Sequence, residues 1–429
     1  MGATVDLERL ATDIAEVSPG LSEVYEDLHA HPELSFAEHR TAAVAADRLD
    51  ALGYEVTSGI GGTGVVATMR GTAAGGDGPT VLLRADMDAL PVEEATGLPY
   101  ASTVRTTDAN GREVPVAHAC GHDLHTTWLL GIADLLANTR ASWSGQAMLV
   151  FQPAEELGGG AAAMCDDGLF ERFGTPAVGL GQHVGPAPAG WLLYRPGTTM
   201  AASDALDIVL HGRGGHGSAP ETTVDPVVMA AATIMRLQGV VAREVGATES
   251  AVVTVGSVHA GTKENIIGDR AELGLSIRTF DDGVRARVLE AIERIVHGEA
   301  HAAGAPRPPE ITSRYSFPAL VNDPATTDAL EGAFRAHLPA DRLLPAPLIP
   351  ASEDFGVFGE RGGFPSTFWF VGGADADTYL AALAAGRLAQ DIPSNHSPEF
   401  APVQHPTLEA GLEAMYLAAR HWLRADAPA

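Results

Sequence analysis

The chain has 429 residues, 45% apolar and only 6% aromatic, and its 55 acidic against 27 basic residues give a formal net charge of -28. That sign of charge excludes general attraction to nucleic acid or to an anionic membrane surface, so an anionic ligand has to be captured by local groups. The length exceeds one ordinary core and predicts two domains, and no run approaches the roughly 20 apolar residues of a membrane span.

Two cysteines, Cys120 and Cys165, are too few for a disulfide framework and point to a reducing, cytoplasmic setting. Asp6, Glu8, Asp13 and Glu16 stand where a secretory signal would carry basic and then apolar residues, so no such signal is expected. Lys263 is the only lysine, which makes almost every positive charge a guanidinium.

In chain order, the segment up to about Leu52 has helical periodicity, with Gly53 as its C-cap. The Gly/Ala-rich run 71–78 reads as a surface turn. Residues 80–83 and 147–151 are continuous apolar runs, the pattern of strands buried on both faces of a largely parallel sheet. Between them Leu124, Trp128, Ile132, Leu135 and Leu136 mark a helix that begins near His122. Open α/β sheets gather ligands beyond the carboxyl ends of their strands, which is where Asp86, Asp88, Glu155 and Glu156 lie.

From about Ala201 the pattern changes to alternation. Strand 205–211, helix 225–244, strand 250–259, strand 270–280, helix 282–303 and a strand at about 309–316 make a βαββαβ order, the split pattern of a ferredoxin-like domain. Leu273, Leu275 and Ile277 should face its helices, with Ser276 and Arg278 on the other face. A helix near 325–337, an apolar strand at 366–371 and a final helix at about 406–424 then resume the first pattern. The predicted class is α/β: a discontinuous domain over 1–200 and 314–429 on a largely parallel sheet, with a ferredoxin-like domain, 201–313, inserted in it.

The run His118-Ala119-Cys120-Gly121-His122-Asp123 places a thiol and an imidazole two residues apart at a helix start, donors suited to a borderline-soft divalent ion. Singly, each candidate reads more easily as structural, and Cys165, His29, His31, His211 and His259 are assigned that way. Together, Cys120, His122, Glu156, His183 and His396 exceed what one tetrahedral ion uses, so two divalent metal ions are expected, with zinc favoured and manganese, cobalt or nickel open. Paired ions are a recurring hydrolytic device. Glu155 and Glu156 suit a division of labour in which one carboxylate reaches the ions and the other takes a proton from water.

Arg278 presents a planar fork matched to a carboxylate; the purely stabilising alternative pairs it with Glu272 or Asp269. A different class of enzyme would use Cys120 as nucleophile and His183 as base. A non-catalytic metal-binding protein is the third possibility.

The segments Arg84-Ala85-Asp86-Met87-Asp88-Ala89-Leu90-Pro91, 118–123, Phe151-Gln152-Pro153-Ala154-Glu155-Glu156, Gly214-Gly215-His216-Gly217, Ser352-Glu353-Asp354-Phe355 and His396-Ser397-Pro398 occur in this order. They resemble the amidohydrolase branch of the dinuclear aminoacylase and carboxypeptidase metallopeptidases, which includes hippurate hydrolases and indole-acetyl-amino-acid hydrolases. The resemblance spans nearly the whole chain. It implies that Cys120, His122, Glu156, His183 and His396 bind the metals, that Glu155 is the general base, and that Asp88 supports a neighbouring site group. It further implies that His216, Asn265 and Arg278 meet the substrate, His216 across the interface of a homodimer formed by the inserted lid domain.

The implied reaction is hydrolysis of an N-acyl amino acid, with a carboxypeptidase or dipeptidase as the alternative. The chain departs from the pattern at Gln182, where an apolar residue is usual, and at Leu157 and Ala351, where glycine is. At Asp86 many relatives carry a histidine.

Overall fold

The computed structural model describes residues 5–73 and 78–424, so 74–77 of the Gly/Ala-rich run lie outside the described residues. Two compact units emerge: Met1–Gly197 with Val321–Pro347 and Asp354–Ala429, and Thr198–Leu320 with Leu348–Glu353.

The first unit is built on an eight-stranded sheet in the order Glu55–Ile60, Gly64–Arg70, Gln146–Gln152, Thr80–Asp86, Val178–Pro188, Ser366–Ala374, Leu192–Tyr194, Leu343–Pro345. From Gln146–Gln152 to Ser366–Ala374 the pairing is parallel. The solid apolar runs have the predicted cause: Val81, Leu82, Leu83, Leu149, Val150 and Phe151 are fully buried, as layers on both faces require.

Helices Leu7–Ala30, His122–Asn138 and Gln404–Trp422 pack together on this sheet. Their approach is close at Gly131, where a Cβ would come within 2.5 Å of Leu412 and 2.6 Å of Leu21. Trp128 completes the joint by donating its indole N–H to the Leu408 carbonyl at 3.0 Å. Each fully buried leucine in this layer contributes roughly 1.5–3 kcal/mol relative to exposure.

The opening helical stretch is interrupted. Leu7–Ala30 stops at His31, whose φ of -131 and ψ of 55 follow from the proline next in sequence, and a second helix spans His39–Ala51. Gly53, at φ +82, ends it as expected.

The second unit holds a four-stranded sheet in the order Ala251–Ala260, Arg270–Thr279, Ala202–His211, Glu310–Phe317, antiparallel throughout. With helices Pro226–Glu244 and Asp282–Ala302, it has the predicted ferredoxin-like connectivity. Both helices start on an aspartate cap, Asp225 accepting from the Val227 N–H and Asp281 from the Val284 N–H. Leu273, Leu275 and Ile277 are buried with Leu237, Val240, Val288 and Ile292, and Ser276 and Arg278 lie half-buried on the opposite face.

This unit runs past the expected boundary at 313. Its last strand pairs with Ala202–His211 from Phe317 to Glu310. The segment 348–353 joins it because the Ala201 N–H donates to the carbonyls of Ile349 and Ala351, at 3.0 and 2.9 Å. Among the described residues, no helix is long and apolar enough to cross a membrane.

Candidate metal centre

The first unit gathers its polar residues where its parallel strands end. Asp86 closes Thr80–Asp86, and Asp88 follows it, both buried. Gln146–Gln152 leads into the turn Glu155–Leu157, and His183 sits within Val178–Pro188. Cys120 and His122 flank Gly121, whose φ of +84 and lack of a side chain are both required, since a Cβ there would meet Val184 Cγ1 at 2.4 Å. His396 arrives from a distant loop, fixed by its N–H donating to the Ala119 carbonyl at 2.7 Å.

The five predicted donors converge. Cys120, His122 and His183 place one donor atom each within 4.8 Å of one another; so do Cys120, Glu156 and His396, and so do His122, Glu155 and Glu156. Cys120 therefore belongs to two three-donor groups, an arrangement suited to two adjacent cations.

Ring orientation can be read from the partners. His183 Nδ1 lies 2.7 Å from the Val184 carbonyl, so it carries the proton, and Nε2 turns its lone pair toward Cys120 Sγ at 3.5 Å. Burial holds the His183 imidazole well below its ordinary pKa, the neutral form a ligand needs. His122 is fully buried, and among the described residues neither of its ring nitrogens has a hydrogen-bond partner, Nδ1 lying 3.3 Å from Asp88 Oδ1. Glu156 Oε1 is likewise buried without one, 3.9 Å from His122 Nε2 and 3.2 Å from His396 Nε2. Orphaned buried polar atoms are costly; a cation accepted by both would satisfy them.

The electrostatics agree. Burial and the Glu156 carboxylate push the Cys120 thiol up, while Cys120 and Glu156 together draw His396 up to about 10. The donor set thus makes a negative field that attracts a proton and would attract a divalent ion more strongly. The residues present fit a metal pair.

Asp88 has a role of its own. Its Oδ1 accepts the Glu155 N–H and its Oδ2 the Glu156 N–H, each at 3.1 Å, and Oδ2 also accepts the Ser35 hydroxyl at 2.6 Å. The Asp86 carboxylate is already engaged: Oδ2 accepts from Arg84 at 2.7 Å and Oδ1 lies 2.6 Å from His125 Nδ1. Burial alone raises its pKa, but Arg84, His122 and His125 outweigh that and hold it well below the usual carboxylate range.

Sequence reading missed three supporting residues. His125 accepts the Val184 N–H on Nε2 at 2.9 Å, so its Nδ1 proton goes to Asp86. Arg84, buried beneath the site, also donates to Gln152 at 2.8 Å. Asn395 donates to the carbonyls of Cys120 and Val184, at 3.3 and 3.2 Å, and so fixes the loop that carries His396. The place of His125 one turn after His122 was a usable signal; Arg84 and Asn395 lay inside or beside the recognised segments without a spacing cue.

In the second unit, His216 and Asn265 come together on a small ribbon: His216 pairs with Ile266, and the Gly217 N–H donates to the Asn265 carbonyl at 2.9 Å. His216 Nδ1 accepts the Ser218 N–H at 3.1 Å, which leaves its proton on Nε2, at an exposed ring. Arg278 donates to Ser352 Oγ at 2.7 Å, and Glu272 takes Arg270 instead, at 2.7 Å. The stabilising alternative for Arg278 is therefore corrected: Arg270, two positions from Glu272 on the same strand face, holds that carboxylate, and among the described residues no ion pair joins Arg278 to Asp269.

A family model for peptidase family M20/M25/M40 matches residues 82–382. The hippurate hydrolase of Campylobacter jejuni is 40% identical over 355 residues, covering 82% of this chain and 88% of that protein. Thermostable carboxypeptidase 1 of Saccharolobus solfataricus is 36% identical over 370 residues, covering 85% and 89%. The crystal structure of the Bacillus subtilis YXEP protein, a dinuclear metal binding peptidase from the M20 family, superposes with a TM-score of 0.74 at 30% identity, covering 95% of this chain and 99% of that one.

Proposed function

Since the chain belongs to peptidase family M20/M25/M40 and is a hydrolase acting on amide bonds, we propose that it cleaves N-acyl amino acids to a carboxylic acid and an amino acid, using two divalent metal ions. The observation that carries the reading is the pair of three-donor groups sharing Cys120, beside the Glu155 carboxylate. Cys120, His122, Glu156, His183 and His396 hold the ions, zinc being the best match to thiolate and imidazole. Bound there, they supply Lewis-acid polarisation of a carbonyl and a lowered pKa for water.

Glu155 takes the proton of the attacking water and returns it to the leaving amine. Asp88 orients both glutamates through their backbone N–H groups. From the second unit, His216 donates its Nε2–H to the developing oxyanion, Asn265 adds a polar contact, and Arg278 receives the free carboxylate of the substrate.

Short peptides are the second candidate substrate class, favoured by the identity to a carboxypeptidase. A panel of N-acetyl, N-benzoyl and dipeptide substrates, assayed before and after chelation and re-addition of zinc or manganese, tests the reading. Turnover that survives chelation would remove the metals and restore Cys120 as nucleophile; preference for dipeptides would replace the substrate class.

We also assign a homodimer to the second unit. Its outer strand Ala251–Ala260 has an open edge, helix Pro226–Glu244 exposes Val227, Val228, Met235 and Val241, and Val258 is exposed on the helix side of that strand. Sedimentation of wild type and Val258→Arg checks it: a monomeric wild type would end the assignment. A cytoplasmic location accords with both cysteines being free thiols; recovery of the activity outside the soluble cell fraction would oppose it.

A further inference from the structure

Glu38 is fully buried, and no step above uses it. It stands at the N-cap position of helix His39–Ala51 but makes no capping bond with its side chain. The carboxylate turns inward instead. Its Oε1 accepts the Ala154 N–H at 2.8 Å and the Phe36 N–H at 2.9 Å, and its Oε2 accepts the Thr63 hydroxyl.

Ala154 is the residue immediately before Glu155, and its φ of 48 and ψ of 43 lie in the left-handed region that an alanine seldom adopts. Holding it there needs an anchor. With the Asp88 bonds to Glu155 and Glu156, three successive backbone N–H groups, 154 to 156, end on two buried carboxylates. Both carboxylates are themselves tied to one short loop, Asp88 by the Ser35 hydroxyl and Glu38 by the Phe36 N–H. Phe36, also left-handed at φ 60, marks that loop as the second strained point of the same brace.

We infer that Glu38 is a positioning residue for the reaction: it sets the turn on which Glu155 and Glu156 stand, and so governs turnover without touching substrate. A catalytic carboxylate displaced by about 1 Å loses about a hundredfold in rate, so a brace on the residue before the base acts on kcat. This inference rests on Glu155 being the base.

The test compares Glu38→Met, which fills similar volume but accepts no hydrogen bond, with Glu38→Gln. The amide oxygen of Gln keeps both backbone bonds, and its NH2 faces a Thr63 hydroxyl that turns to accept. Expected are a kcat at least about thirtyfold lower for E38M at a KM within about threefold, with wild-type metal content, and recovery in E38Q to within about threefold of wild-type kcat. A folded, metal-replete E38M with wild-type kcat overturns the inference, as does an E38Q as slow as E38M.

Should E38M not fold, Thr63→Val takes its place. Loss of that one donor with kcat about three- to tenfold lower and KM unchanged sustains the inference, and wild-type kcat overturns it. Glu155→Gln run alongside separates the two readings: an active E155Q removes the base, whereas an inactive E155Q beside a fully active E38M removes only the brace.

Discussion

The donor residues of the first unit and the candidate substrate residues of the second are held in opposite ways. Cys120, His122 and Glu155 are buried, and backbone bonds reach His183, His396, Glu155 and Glu156 from Val184, Ala119 and Asp88. His216 and Asn265 are exposed on a ribbon whose strands are two residues each, and Arg278 is half-buried with its guanidinium on a single serine. The first arrangement pre-organises charge, so little rearranges when the reaction begins. The second leaves side chains free to meet ligands of different shape, which suits recognition. Changes in the first region should therefore appear in kcat or metal content, and changes in the second chiefly in KM or in the selectivity among substrates, His216 as the proposed oxyanion donor excepted.

The largest expected effect tests the first half of that contrast. Glu155→Gln should keep both metals by elemental analysis and lose about 10²–10⁴ in kcat; loss of metal together with activity would make Glu155 a ligand instead. Next, His216→Ala removes the proposed oxyanion donor and should lower kcat/KM by about 10²–10³. A fall confined to KM would move His216 from the reaction to substrate binding.

Arg278→Ala should raise KM for an N-acyl amino acid by about ten- to a hundredfold, as expected when a charged hydrogen bond is lost, and leave the corresponding N-acyl amine almost unchanged. Equal effects on the two substrates would break the assignment to the carboxylate.

The smallest effect concerns the frame behind the metal centre. Burial works against a charged His29, but hydrogen bonds with Asp123, at 2.7 Å, and Glu94, at 3.0 Å, carry it up to about 10. Its folded value lies above the ordinary 6.5. The stabilisation is thus complete below pH 6.5 and is lost as pH rises through about 10. The Tm gap between wild type and His29→Gln should narrow by several degrees over that interval; a constant gap would mean that the charge adds nothing to packing.

Much of this frame was legible without coordinates. Solid apolar runs identified the parallel strands, alternation identified the second sheet and the face that carries Arg278, and the spacing of Cys120 and His122 marked the candidate metal centre. Other features left no trace of that kind. Residues 31–38 look like part of a helical stretch, yet Pro32 breaks it, and Glu38 then reaches Ala154, 116 positions away. Asn395 reads as a loop residue, although its amide braces Cys120 across 275 positions.

Sequence alone determined the chemical inventory: which side chains can hold a cation or move a proton, and the local periodicity that turns neighbouring residues into helices and strands. Tertiary structure decided which imidazole nitrogen faces the centre, that the oxygens of Asp86 are taken by Arg84 and His125, and that 348–353 belongs with the second sheet. The physical reason is range. Backbone periodicity is set over three or four residues, whereas a hydrogen bond between distant segments depends on where the whole chain has packed.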